Sequence, residues 1–241
     1  MAYSNLESLR ERFYGDDSVN GTKIFYGWVR QHLRPDFAVL NLGAGHPPKM
    51  SPFSSLKGLA RQIIGVDLSE GIASNPDLDW AVVADGCRLP FRSGQFDLML
   101  SDYTLEHVRA PVSFLAEAAR VLKPGGSFFF RTPNRHHYTA WATGWVPFRF
   151  HRRLANWAQG FSKNPFERFP IFYRLNTRGR ILGLYRQAGF RKAEIRLLET
   201  EPTYLMFHPV PFFCGMVYER LVNRFKPLEG LRVNILGRLE R

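Results

Sequence analysis

The 241 residues include only two cysteines, Cys87 and Cys214, and neither stands in a Cys-X-X-Cys or Cys/His cluster. That excludes a disulfide framework and a zinc site, and both are expected to be reduced packing residues. A spanning helix is missing as well. The most apolar stretch, "YLMFHPVPFFCGMVY" from Tyr204 to Tyr218, is broken by His208, Pro209 and Pro211. It falls short of the ~20 apolar residues a bilayer crossing needs. The start, "MAYSNLESLRERFYGDD", carries charges throughout and has no apolar run, so no signal peptide is expected in it. The location expected is cytoplasmic, with a peripheral place at a membrane as the other option. Acidic residues are scarce, 21 against 33 Lys and Arg, which leaves a net charge of +12 and an anionic neighbour to find. Internal repeats and low-complexity linkers are absent too. With 45% hydrophobic and 22% charged residues, this is no disordered tail.

What is present alternates. "FAVLNL" (37–42), "QIIGV" (62–66), "WAVVA" (80–84), "FDLMLS" (96–101) and "GSFFFRT" (126–132) are apolar on both faces and read as buried strands. "APVSFLAEAARVLKPGG" places Val112, Leu115, Ala116, Ala119 and Leu122 at helical spacing before Pro124-Gly125-Gly126 stops it. "TRGRILGLYRQAGF" (177–190) repeats the pattern, "RKAEIRLLE" supplies a sixth strand and "TYLMF" a candidate seventh. Strands alternating with helices give an α/β fold, a doubly wound and mostly parallel seven-stranded sheet.

The expected organisation is one domain over 1–241: an N-terminal helical cover (1–34), a core (35–132), an insertion (133–176), the last core helix and strands (177–207) and a basic amphipathic tail (208–241). The insertion, rich in aromatics and arginine, is too long for an ordinary connection and reads as a substrate lid. In the tail, Met216, Leu221 and Phe225 oppose Glu219, Arg220, Asn223 and Arg224, so a helical tail is expected. Phe212, Phe213, Met216 and Val217, followed by Arg220, Arg224 and Lys226, suit either a helix in an anionic headgroup plane or a cover over the sheet edge. Arg149, Arg152 and Arg153 beside Phe148, Phe150 and Trp157 add to the first option.

In an open parallel sheet, ligands bind beyond the carboxyl ends of the strands near the switch point. There the first strand turns at Gly43-Ala44-Gly45, where the backbone bends sharply and a ligand can approach without a Cβ in the way. Asp67 ends the second strand, placed to accept hydrogen bonds from both hydroxyls of a ribose. Asp85 closes the third, placed to accept from an exocyclic amine. A turn of this kind also suits NAD, but the third glycine of the dinucleotide fingerprint is missing.

The ordered series "LNLGAG", "GVDLS", "ADGCRLPFRSGQFDLMLSDYTLEHV" and "ARVLKPGG" resembles the class I S-adenosylmethionine-dependent methyltransferases, in particular the small-molecule group that includes the ubiquinone and menaquinone biosynthesis enzymes. It covers residues 35–135 closely and 177–207 more loosely. The resemblance implies S-adenosylmethionine as cofactor: Gly43, Ala44 and Gly45 at its methionine part, Asp67 with Leu68 at the ribose, and Asp85, Gly86 and Cys87 at the adenine. Ser101 would face the reacting sulfonium. Asn41 stands where the family usually carries an acid, and Pro47 where it often carries a third glycine; Asn41 still accepts a hydrogen bond, without the full charge.

His107, in "LEHV", is the first candidate base for a hydroxyl acceptor, and His136 and His137 in "PNRHHY" are the alternatives. Asp102 and Glu106 read as a solvated helix start, and Tyr14, Tyr26 and Trp28 either cover the cofactor or pack on the sheet. The expected activity is methyl transfer to a small-molecule or lipid-linked acceptor, at oxygen. An RNA methyltransferase would suit the charge, but no RNA-binding appendage is recognisable, so nucleic acid is not the expected partner. A non-catalytic cofactor-binding protein is the other alternative. The sequence leaves the acceptor and the oligomeric state open.

Overall fold

The computed structural model describes residues 2–45, 53–140 and 169–241. Two compact units make up the chain: Phe25–Pro133, Phe169–Arg196 and Ile235–Arg241 form one, and Met1–Ile24, Asn134–Arg168 and Leu197–Asn234 the other. The expected lid residues Phe148, Arg149, Phe150, Arg152, Arg153 and Trp157, and Pro47, lie outside the described residues.

The seven strands are β1 (Ala38–Leu42), β2 (Gln62–Asp67), β3 (Trp80–Val83), β4 (Phe96–Asp102), β5 (Leu122–Pro133), β6 (Lys192–Leu198) and β7 (Asn234–Glu240), in sheet order β3-β2-β1-β4-β5-β7-β6. From β3 to β5 all pairings are parallel, with Leu40 opposite Ile64 on one side and Met99 on the other. Parallel strands covered on both faces must be apolar throughout, and Phe128, Phe129 and Phe130 of β5 are all fully buried. β7 runs antiparallel to β5, since Gly125 N–H donates to the Arg241 carbonyl at one end and Asn134 N–H to Val233 at the other.

The seventh strand is thus not "TYLMF". Thr203–Leu205 form a 3-10 turn, and the expected helical tail returns to the sheet as β7. Gly237 makes that return possible, because a Cβ there would drive into the Phe130 ring.

Five helices are described: α1 (Ala2–Tyr14), α2 (Gly21–Arg30), α3 (Pro111–Val121), α4 (Arg178–Leu184) and α5 (Pro209–Arg224). α3 starts with Pro111, whose ring suits a first turn, and buries Phe114, Leu115, Ala118 and Ala119, while Val112 is exposed. α4 is capped by Thr177, whose hydroxyl accepts the Arg180 N–H at 3.2 Å. The prolines that break up the apolar stretch instead open α5. His208 caps it by accepting the Val210 N–H at 3.2 Å, and Pro209 takes the first position. α5 buries Phe212, Met216, Glu219 and Val222, whereas Leu221, Phe225 and Cys214 are exposed. The buried face is therefore not the one that Met216, Leu221 and Phe225 would make, and Cys214 is not a packing residue.

Candidate active site

A pocket of about 820 Å3 opens at the carboxyl ends of β1, β2 and β4, within the unit that holds the parallel sheet. β1 reaches it through Gly43 (φ 76°), whose N–H donates to the Val66 carbonyl at 2.7 Å. A Cβ on Gly43 would collide with the Thr104 side chain, so only glycine brings these two loops together. Asp67 braces the same turn. One carboxylate oxygen accepts the Gly45 N–H and the other the Ser69 N–H, both at 2.9 Å. Each oxygen keeps a further lone pair for a hydroxyl donor.

Asp85 lies two residues past β3, exposed, with one oxygen accepting the Cys87 N–H at 2.8 Å. A Cβ on Gly86 would sit 2.9 Å from the Phe114 ring, which again requires glycine. Burial pushes the Cys87 thiol up to about 11, so it stays a neutral, unreactive lining group at pH 7.

Of the residues the sequence proposed for the cofactor, Gly43, Asp67, Leu68, Asp85, Gly86 and Cys87 line this pocket. Asn41, Ala44, Gly45 and Ser101 do not. Asn41 lies within β1, between Gly65 and Leu100. The carbonyls of Ala44 and Gly45 accept from the Asn75 side chain, which holds the turn from behind. Ser101 is fully buried in β4, opposite Phe130. The residues after it, Tyr103 and Thr104, line the pocket in its place.

Tyr103 adopts a left-handed backbone (φ 52°), rare for a residue with a side chain. Its N–H donates to the Arg131 carbonyl at 2.9 Å, and the Arg131 guanidinium lies 4.6 Å from its ring. Arg131 in turn grips Asp102 through two bonds of 2.6 and 2.7 Å. Glu106 is also buried, its carboxylate accepting the Thr132 hydroxyl at 3.1 Å, and burial pushes its carboxyl up to about 7. Asp102 and Glu106 are therefore not a solvated helix start. Both are tied into the layer beneath the pocket, because β4 and β5 end side by side there.

His107 closes a 3-10 turn, Leu105–His107, and lines the pocket. Its Nδ1 lies 3.1 Å from the Pro170 carbonyl. A carbonyl only accepts, so the neutral ring carries its proton on Nδ1 and leaves a lone pair on Nε2. Phe169, Pro170, Phe172 and Arg174 complete this end, with Arg174 donating to the Arg109 carbonyl at 2.8 Å. Sequence reasoning missed them because their approach depends on a contact 63 residues away from His107.

The other candidate bases belong to the other unit. His136 is exposed, and His137 is fully buried beneath Tyr138, its ring centroid 4.1 Å away. His137 Nδ1 accepts from Thr139, which directs Nε2 toward Glu199, 3.6 Å distant. Burial pushes His137 down to about 4 and Glu199 up to about 8, as expected for a sealed pair. His137 does not line the pocket. Nor do Tyr14, Tyr26 and Trp28: Tyr14 packs on Phe212, and Trp28 packs edge-on against Phe129. Among the described residues no cluster could hold a metal ion, and no helix is long and apolar enough to cross a membrane.

Residues 40–130 match the family described as a methyltransferase domain. The chain is 30% identical over 120 residues to a ubiquinone biosynthesis O-methyltransferase of Burkholderia vietnamiensis, an alignment covering 46% of this chain and 50% of that protein. It thus spans about half the length of the curated relatives it matches. Among solved structures, an S-adenosylmethionine-dependent methyltransferase from Mesorhizobium loti aligns with a TM-score of 0.54 at 20% identity, over 93% of this chain and 100% of that one. A SAM-dependent methyltransferase from Thermotoga maritima gives 0.53 at 18%, over 99% and 98%. The pocket fits the cofactor these proteins share: two glycines stand where a Cβ would collide, two carboxylates keep lone pairs, and the volume is that of a small-molecule site. Strand order, pocket and the match over residues 40–130 agree in the likeness of this part of the chain to methyltransferase domains.

Proposed function

We propose that the chain transfers a methyl group from S-adenosylmethionine to a hydroxyl of a small-molecule or lipid-linked acceptor. One observation carries the oxygen acceptor. His107 shares a pocket with Asp67 and Asp85, and its proton is held on Nδ1 by the Pro170 carbonyl. Nε2 is then left to accept a proton from an incoming hydroxyl. The name of the curated relatives, ubiquinone biosynthesis O-methyltransferase, supports an oxygen acceptor.

The cofactor brings a methyl already activated on a sulfonium, so the protein has to align the acceptor and remove its proton. Asp67 accepts from the ribose hydroxyls, and Asp85 accepts from the adenine amine. The Gly43 turn lets the backbone come close to the methionine part. Phe169 and Phe172 give the acceptor an apolar wall, while Arg109 and Arg174 lie at the same end of the pocket. Tyr103, held by Arg131, lines the same pocket.

The test is methyl transfer from labelled S-adenosylmethionine to a panel of phenols, catechols and matched amines. Transfer to hydroxyls, lost in His107→Ala, supports the reading. Transfer to the amines alone would replace it with an N-methyltransferase.

A further inference from the structure

The first half of α5, Pro209–Val217, is apolar all round, and among the described residues one side of the helix is covered. Phe212 and Met216 are 0% and 4% exposed and pack with Leu6 and Tyr14. Gly215 lets the helix press on Pro202 and Leu205, 2.7 Å from where its Cβ would be. On the opposite side Val210, Phe213, Val217 and Leu221 are 63%, 53%, 52% and 44% exposed. They follow one another at intervals of three, four and four residues, which draws a single stripe along the helix. Pro209, Val210, Phe213, Cys214 and Val217 form a shallow apolar depression at its start.

Charge says what could cover this stripe. Glu219 is the one acidic residue of α5, and it points inward, accepting from Tyr14 at 3.2 Å and Asn223 at 2.7 Å. The exposed charges are Arg220 and Arg224, with Lys226 just beyond. Exposed Phe13 of α1 adds to the apolar surface, with Arg12 and Arg220 at 5.8 and 5.9 Å from its ring. The face is therefore apolar, flanked by cations and free of exposed carboxylates on its own helix. A stripe lying along the axis suits a helix in a plane of lipid headgroups, its apolar side reaching the acyl boundary and its arginines meeting phosphate.

We propose that the outward face of α5, from Val210 to Leu221, docks on the surface of an anionic lipid bilayer. Phe213 and Val217 insert between headgroups, and Arg220 and Arg224 pair with the lipid phosphates. This does not depend on which acceptor the methyltransferase domain uses.

The test is co-sedimentation of the whole chain with phosphatidylglycerol/phosphatidylcholine vesicles and with phosphatidylcholine vesicles, from low to high salt. Inorganic phosphate serves as a competitor, to separate a headgroup in a bilayer from a free anion. The protein should bind the anionic vesicles, release them as salt rises and bind neutral ones far less. Phe213→Ser with Val217→Ser leaves the charge unchanged and replaces two exposed side chains, so the fold should survive, as circular dichroism will show. That variant should bind about tenfold or more weakly. Three results would overturn the proposal. Wild-type protein could stay in the supernatant at low salt, or the serine variant could bind as tightly as wild type, which would mean net charge alone is at work. The face could also prove to join two copies in solution, by a dimer that the serine variant dissociates in protein that binds no vesicles.

Discussion

The Nδ1 atom of His107 lies 3.1 Å from the carbonyl oxygen of Pro170, a contact that fixes which ring nitrogen holds the proton. Orientation of this kind matters as much as the presence of a histidine, since the other tautomer would offer a proton where a base is needed.

His107→Ala should lower turnover on a hydroxyl acceptor by roughly a hundredfold or more. Affinity for S-adenosylhomocysteine, measured by calorimetry, should change little, because Asp67 and Asp85 are untouched. Normal turnover would reduce His107 to a packing residue on Phe169.

Arg131→Met should be strongly destabilising. It leaves Asp102 without its bidentate partner and removes the guanidinium 4.6 Å from the Tyr103 ring. The cost expected for breaking a mostly buried pair is about 3 kcal/mol, read from urea unfolding. A loss below about 0.5 kcal/mol, the level of an ordinary surface change, would show that the pair does not hold this layer together.

Glu106 predicts a pH dependence of stability. Its carboxyl is raised from the ordinary 4.5 to about 7 by burial, so between these values the folded chain binds more proton than the unfolded one. Stability must then fall as pH rises through this window and level off above it. Glu106→Gln imitates the protonated acid. It should match wild type near pH 5 and exceed it above pH 8 by up to about 3 kcal/mol. Parallel melting curves at the two pH values will show it; an equal effect at both would mean the carboxyl is not raised.

Parallel strands β1, β2, β4 and β5 were legible in the sequence because buried parallel strands carry their signal locally; "WAVVA" does form β3, but with Trp80 and Val83 64% and 54% exposed it is not the buried strand expected. "FDLMLS" and "QIIGV" are apolar on both faces, and they lie in β4 and β2 to within a residue. The last strand was not legible. "NILGRLE" has a glycine in its middle and two charges at its end, and only the Phe130 ring, more than a hundred residues away, explains Gly237. The site divides in the same way. Asp67 and Asp85 stand at or just past strand ends, where position alone announces them. Tyr103 owes its place to a left-handed backbone held by Arg131, and Phe169 to Arg174 owe theirs to the chain's return at Pro170. In α5 the period was visible, but which apolar stripe faced inward was decided by Leu6 and Tyr14.

On the function proposed above, the pocket at the carboxyl ends of β1, β2 and β4 holds S-adenosylmethionine through Asp67 and Asp85. The most direct measurement is calorimetric titration of S-adenosylhomocysteine into wild type, Asp67→Ala and Asp85→Ala, each shown by its melting curve to be folded. Losing one charge-assisted partner should weaken binding by about 1.5 to 3 kcal/mol, roughly tenfold to a hundredfold or somewhat more. Folded variants that bind with the wild-type affinity would contradict the account.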